Sequence, residues 1–182
     1  MLTAISANFL DLLAEARTAE AALAHLNFMR RLVAGEGIFS IQQNVTTQND
    51  PPNEIRLRRF YSSEAERFPV QTAKRKTRTP WTERLYIEGR PFIGEGETVL
   101  AANFDDFLEM REYGVRSVIN VPLLQGNLCY ATMNIFGTRD QWLAHEIAGI
   151  RLLALAAARW VPVAPGLSYR FDNATLPQAV EA

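Results

Sequence analysis

Residues 104–136 read FDDFLEMREYG, VRSVINVPLL, QGN, LCYATMNIF, and their order decides the fold. Phe104, Phe107 and Leu108 mark a short amphipathic helix. Gly114 stops it, because the left-handed residue that closes a helix favours glycine. Residues 115–124 and 128–136 are rich in branched and aromatic side chains, and Gln125-Gly126-Asn127 joins them as a tight turn. Helix, glycine, strand, turn, strand makes an antiparallel hairpin directly behind a helix. Pro122 has no amide hydrogen, so it belongs at an edge, a bulge or a strand end.

Upstream, Leu2, Ile5, Phe9, Leu12, Leu13 and Ala16 recur at helical spacing. Thr18 offers a capping hydroxyl for a second helix, which carries Ala22, Leu23, Leu26, Phe28, Met29, Leu32 and Val33 and ends at Gly35 and Gly37. The period then changes. Residues 38–45 (IFSIQQNV) and 54–61 (EIRLRRFY) read as strands joined by the turn formers TTQNDPPN. Ile55 and Leu57 are expected inside and Arg56 and Arg58 outside, with the alternation lapsing at Arg59 and Phe60.

Ser63 and Glu66 predict a short helix from Glu64, and the basic segment 71–78 reads as mobile loop. Thr79-Pro80 starts the helix WTERLYIE, which Gly89 ends. Phe92 and Ile93 begin a short strand, and Asn103 is expected to cap the helix of residues 104–113. Thr138 and Gln141 have capping-box spacing ahead of a final helix expected to carry Trp142, Ile147, Ile150, Leu152, Leu153, Leu155 and Trp160. The organisation expected is an N-terminal helix over 1–18, a core domain over 19–162, and a partly disordered tail over 163–182. Such an order gives an α+β fold: a central, mostly antiparallel sheet with helices on both sides.

The bulk properties narrow the class. A formal charge of -1 gives no reason to expect nucleic acid or a membrane surface as partner. No apolar run reaches the roughly 18 residues of a membrane span. The start meets Asp11 and Glu15 too early for a signal peptide. Cys129 is the only cysteine, which excludes an internal disulfide or a CxxC site and fits a reducing, cytoplasmic setting.

The landmarks TERLYIEGRPFI, then Gly114, Ser117, Pro122 and Leu123 in the strand, then the Gly126 turn, resemble the GAF domain family over roughly residues 20–160. Tyr130-Ala131 and Phe136-Gly137 depart from its usual pattern. The resemblance implies a GAF-like (profilin-like) sheet of five or six strands, with long N- and C-terminal helices packed together. It also implies a cavity between the sheet and a lid formed by residues 64–107, where relatives hold varied small molecules or nothing known. Wall candidates are Tyr61, Trp81, Leu85, Phe92, Phe104, Phe107, Asn120, Tyr130 and Thr132. Against this stands the plainer reading that the aromatic ones are core.

The run Lys74, Arg75, Lys76, Arg78, with Arg84 and Arg90 beyond, suits either an anion clamp or a solvated loop. His25 and His145 stand far apart, so no metal ligand set is expected, nor any cofactor. The leading expectation is a non-catalytic, cytoplasmic metabolite sensor that pairs as a homodimer through its terminal helices and acts on a separate output protein. Two alternatives stay open. One is a ligand-free dimerisation module, with a seam of Leu2, Ile5, Phe9, Leu12, Trp142, Ile150, Leu153 and Trp160. The other is an enzyme reducing free methionine-R-sulfoxide through Cys129, although a resolving thiol is lacking.

Overall fold

In the computed structural model the hairpin forms as the sequence predicts. Strand β5 (Ser117–Gln125) pairs antiparallel with β6 (Leu128–Gly137), and Asn120 stands opposite Asn134. The structure describes residues 2–71 and 73–172, with side chains from residue 8 onward. Around the hairpin close β1 (Gly37–Asn44), β2 (Glu54–Ser62), β3 (Ala73–Thr77) and β4 (Phe92–Glu95). The sheet order is β3-β2-β1-β6-β5-β4, with every neighbouring pair antiparallel.

One face is covered by α1 (Leu2–Glu15), α2 (Ala19–Ala34) and α6 (Ala144–Ala158). Leu23 and Leu26 of α2 meet Ile150, Leu153 and Ala157 of α6 over Phe39, Ile41, Met133 and Ile135. The Thr18 hydroxyl accepts from the Ala21 amide at 3.1 Å, the cap expected for α2. At the other end of α2, Arg30 is 1% exposed and donates to the Gly35 and Gly37 carbonyls at 2.7 and 3.1 Å. Its guanidinium thus ties the helix to the first residue of β1. Burial, chiefly, lowers its pKa to about 10, so it stays charged.

The opposite face carries the lid: α3 (Pro80–Thr82), a π-helical turn (Glu83–Ile87), α4 (Glu97–Asn103) and α5 (Phe107–Glu112). The reading of WTERLYIE as one regular helix is corrected here. The Glu88 amide donates to the Glu83 carbonyl, five residues back. The widened turn buries Leu85, Tyr86 and Ile87 in succession, which a 3.6-residue period does not do on one side.

Other expectations also change. Segment 71–78 contains an edge strand, not a loop, because β2 supplies backbone partners from Glu54↔Thr77 to Arg58↔Ala73. Residues 63–67 form turns rather than a helix. Asn103, expected to cap the next helix, instead ends α4, for which the sequence carries no expectation, and Phe104 lies between α4 and α5. Helix α6 begins at Ala144, where the Glu146 carboxylate accepts from the Leu143 amide at 2.8 Å. Trp142 and Trp160 therefore flank that helix.

The first part of the tail is fastened to the domain. Ser168 N–H donates to Thr46 O, and Asn53 N–H to Arg170 O, both at 3.0 Å, as the chain rounds the end of the sheet to the lid side. There the Tyr169 hydroxyl accepts from the Cys129 amide at 2.9 Å and donates to the Tyr86 carbonyl at 3.1 Å. Residues 173–182 lie outside the described part. No helix of the described residues is long and apolar enough to cross a membrane.

Candidate functional site

Four polar side chains run in register across the lid face of the sheet. Ser62 faces Ser40, Ser40 faces Asn134, and Asn134 faces Asn120. All four are buried. The two asparagines are joined, Asn120 Nδ2 donating to Asn134 Oδ1 at 2.6 Å. Trp81, on the roof, donates its indole N–H to Asn120 Oδ1 at 2.8 Å. Asn120 is thereby satisfied at both ends. Asn134 Nδ2 has only a long bond of 3.4 Å to the Thr132 carbonyl.

Over this floor lies a cavity of about 80 Å³. Trp81, Phe104, Met110, Phe136, Leu57, Ile38 and Phe68 supply its apolar lining. The aromatic wall is braced edge to face: ring centroids are 6.0 Å apart for Trp81–Phe104 and 6.2 Å for Phe104–Phe136. Its mouth is charged. Lys74 and Lys76 project from β3, and Asp106 comes from the turn before α5. Lys74 Nζ meets Asp106 Oδ2 at 2.5 Å, and Lys76 Nζ meets Asp105 Oδ2 at 2.6 Å, so two ion pairs fasten the lid to the edge strand. Burial alone would raise the Asp106 pKa, but the Lys74 hydrogen bond and the charges of both lysines together hold it below the usual carboxylate value.

Arg59 enters beneath them. It is 8% exposed, lies over the Phe68 ring at 5.5 Å, and donates from Nη1 to the Pro69 carbonyl at 3.2 Å. Its Nε is buried without a partner. Desolvation lowers its pKa, while Asp106 and Glu109 act in the opposite sense.

Of the wall residues expected from sequence, Trp81, Phe104 and Asn120 line the cavity. Leu85 and Phe107 are packed in the lid core, and Phe92 supports the Phe104 ring from 6.4 Å. Thr132 is fully buried, with its hydroxyl beside that of Tyr86. Tyr61 and Tyr130 are corrections: both belong to the face covered by the terminal helices, where Tyr61 meets Phe39 and Tyr130 donates to the Ala158 carbonyl. The cause is the same for each. Ile41↔Tyr61 is followed by Gln42↔Arg59, leaving Phe60 unpaired, and Leu123↔Ala131 by Leu124↔Cys129, leaving Tyr130 unpaired. Each extra residue reverses the parity of the side chains on one side of it.

The reading did not single out Ser40, Ser62, Asn134 or Arg59 as lining residues. Polar residues at one parity within apolar strands were the available signal. Of the basic run, only Lys74 and Lys76 reach the cavity; Arg75 turns to Asp50 and Glu54, Arg78 to Glu83, and Arg84 to Glu88.

The family model described as GAF domain matches residues 2–159. The chain belongs to the GAF domain family. No curated protein matches its sequence. Among solved structures it is similar to the GAF domain of a phosphoenolpyruvate-protein phosphotransferase from Coxiella burnetii (14% identity, 86% of this chain and 90% of that one, TM-score 0.63). It is also similar to the GAF domain of a two-component sensor histidine kinase from Bacillus halodurans (12% identity, 75% and 89%, TM-score 0.57). The chromophore-binding domain of an unusual bacteriophytochrome from R. palustris aligns at 10% identity and TM-score 0.59, over 87% of this chain. This chain spans 60% of that one. At these identities the likeness shows the fold.

Three local features bear on the chemistry this GAF domain can perform. Cys129 is fully buried, its thiol donates to the Ala131 carbonyl, and burial pushes its pKa far up. No thiolate is presented there, and the thiolate is the attacking species in sulfur chemistry. No group of three or more metal-ligating side chains occurs among the described residues. A second hollow of about 250 Å³ lies between residues 46–51 and 168–170. Its acid, Asp50, is already held by Thr47, Arg56 and Arg75.

Proposed function

We infer that this GAF domain is a non-catalytic sensor that binds a small metabolite between the sheet and its lid. The observation that supports the reading is the buried polar row Ser62–Ser40–Asn134–Asn120 under an aromatic roof. Polar groups set into an otherwise apolar interior gain most when a ligand completes their hydrogen bonds. The lid is held to β3 by two ion pairs and to Asn120 by one indole N–H. A ligand that contacts both floor and roof binds the closed arrangement better and shifts the population toward it.

A thermal-shift panel of organic acids, amino acids, nucleotides and neutral metabolites tests this. A ligand at a hundred times its Kd adds about 2.7 kcal/mol, which for a domain of this size raises Tm by about 5–10 °C. Ser40→Leu fills the floor, and the same compound should then leave Tm unmoved. A panel that shifts nothing in the parent protein ends the sensor reading.

A second copy of the chain is the partner this reading favours. Ile150 and Leu153, expected in the dimer seam, are consumed in the protein's own core, and so is Trp142. Phe28, Leu32, Leu152 and Leu155 instead remain more than half exposed on α2 and α6. Light scattering should give a dimer that Leu155→Glu, with Phe28→Glu, converts to monomer. A monomeric parent protein removes the proposal.

A further inference from the structure

We propose that the cavity is selective for a small carboxylate, anchored by Arg59, with a compact apolar body and about five to eight non-hydrogen atoms in all. The assignment rests on the sensor reading and narrows it to one ligand class.

Size comes first. At about 10–15 Å³ for each water-sized group, the cavity of about 80 Å³ holds about five to eight of them. Sign comes next. Three cationic side chains, Arg59, Lys74 and Lys76, line the space against one anionic side chain, Asp106. Asp106 is engaged by Lys74, and the Asp105 that meets Lys76 is 91% exposed, where water screens it. Arg59 makes no ion pair among the described residues, and its Nε has no acceptor. A buried cation left in this state is costly, and a carboxylate accepting from the guanidinium fork relieves it.

The remaining valence has the same sense. Asn120 is used at both ends, so the polar groups of the floor with capacity to spare are the Asn134 amide nitrogen, a donor, and the Ser40 hydroxyl and Gln42 amide, which can donate or accept. Each of these groups can donate to an acceptor-rich head, in the same sense as the cationic side chains above them. Beyond that head the walls are Phe104, Phe136, Met110 and Leu57, which suit a short hydrocarbon body. Neutral amides lack the charge, and alkylammonium ions meet three like charges.

The test uses the whole chain with propionate, butyrate, lactate and isovalerate as sodium salts. Butyramide, n-butylammonium chloride and sodium chloride at equal ionic strength are the comparisons. Readouts are Tm and tryptophan emission, to which Trp81 in the cavity wall contributes. At least one carboxylate should raise Tm by about 5 °C at saturation and change the emission, with the comparison compounds inert. Arg59→Gln should weaken that binding at least about tenfold, as loss of a charge-assisted pair does. Arg59→Lys, which keeps the charge and loses the fork, should fall between, and decides the matter if Arg59→Gln fails to fold.

Butyramide or butylammonium binding as tightly as butyrate overturns the assignment. So does parental affinity for the carboxylate in both Arg59 variants. Inert carboxylates beside some other metabolite that binds the parent protein and not Ser40→Leu overturn it too, while leaving the sensor reading intact. A protein that binds nothing loses both.

Discussion

Gly37→Ala should lower stability by more than about 3 kcal/mol, a drop in Tm of about 6–12 °C. A β-carbon at this position would sit 2.1 Å from the Phe136 carbonyl oxygen and 3.1 Å from its carbon. Both are backbone atoms of the neighbouring strand, so no rotamer change relieves the contact. The residue also holds φ at +143°, where side chains are rare. It is paired with Gly137 across β1 and β6, the junction that joins the two halves of the sheet. Arg30 binds the Gly37 carbonyl, so displacing this backbone also disturbs a buried guanidinium. Urea denaturation of Gly37→Ala beside Gly35→Ala gives the contrast. Gly35 has a positive φ (+75°, with ψ −158°) but open space around it, so it should lose only the backbone term, about 1–3 kcal/mol. Equal losses would show that the close approach is not what demands glycine.

Trp81→Ala should cost about 3–5 kcal/mol, the range for an aromatic truncated in a core. The indole is 6% exposed, braces Phe104 and Tyr86 edge to face, and holds Asn120 from above. Trp81→Phe separates these contributions. It keeps most of the roof and removes only the donor, leaving Asn120 Oδ1 short of its partner at about 1–3 kcal/mol. Chemical denaturation of the two variants should therefore differ by about 2 kcal/mol. Similar losses would mean that the hydrogen bond, rather than packing, holds the lid to the floor. A ligand that relies on the closed roof should bind neither variant at parental strength.

The central architecture was legible because periodicity and punctuation agreed. Gly114, the branched residues after it and the Gly126 turn specify one hairpin, and α2 and α6 bury Leu23, Leu26, Ile150 and Leu153 of their apolar sets while Phe28, Leu32, Leu152 and Leu155 stay exposed. Strand β3 was not legible. Ala73, Lys74, Arg75, Lys76 and Thr77 carry no apolar alternation, and what makes them a strand is the unpaired edge of β2. Helix α4 was hidden because Leu100 alone of its residues is buried.

At the site, Trp81, Phe104 and Asn120 could be placed by parity and by their order along the chain. Tyr61 and Tyr130 could not. Each follows or forms a bulge, and one extra residue sends a side chain to the opposite face without changing the local composition. Arg59 shows the same limit from the other side. The lapse of alternation at Arg59 and Phe60 was visible, but whether the arginine or the aromatic turned inward depended on the pairing with β1.

The Tyr169 hydroxyl links the Cys129 amide of the central sheet to the Tyr86 carbonyl of the lid, and Phe171 meets the Tyr169 ring edge to face. The family match stops at residue 159, but the material that seals this seam lies a dozen residues later. A chain trimmed to the matched stretch would lose both rings, uncover the Tyr86 side of the lid core and strip a strand amide of its acceptor. A piece ending at residue 159 should therefore be less stable than one that reaches Phe171.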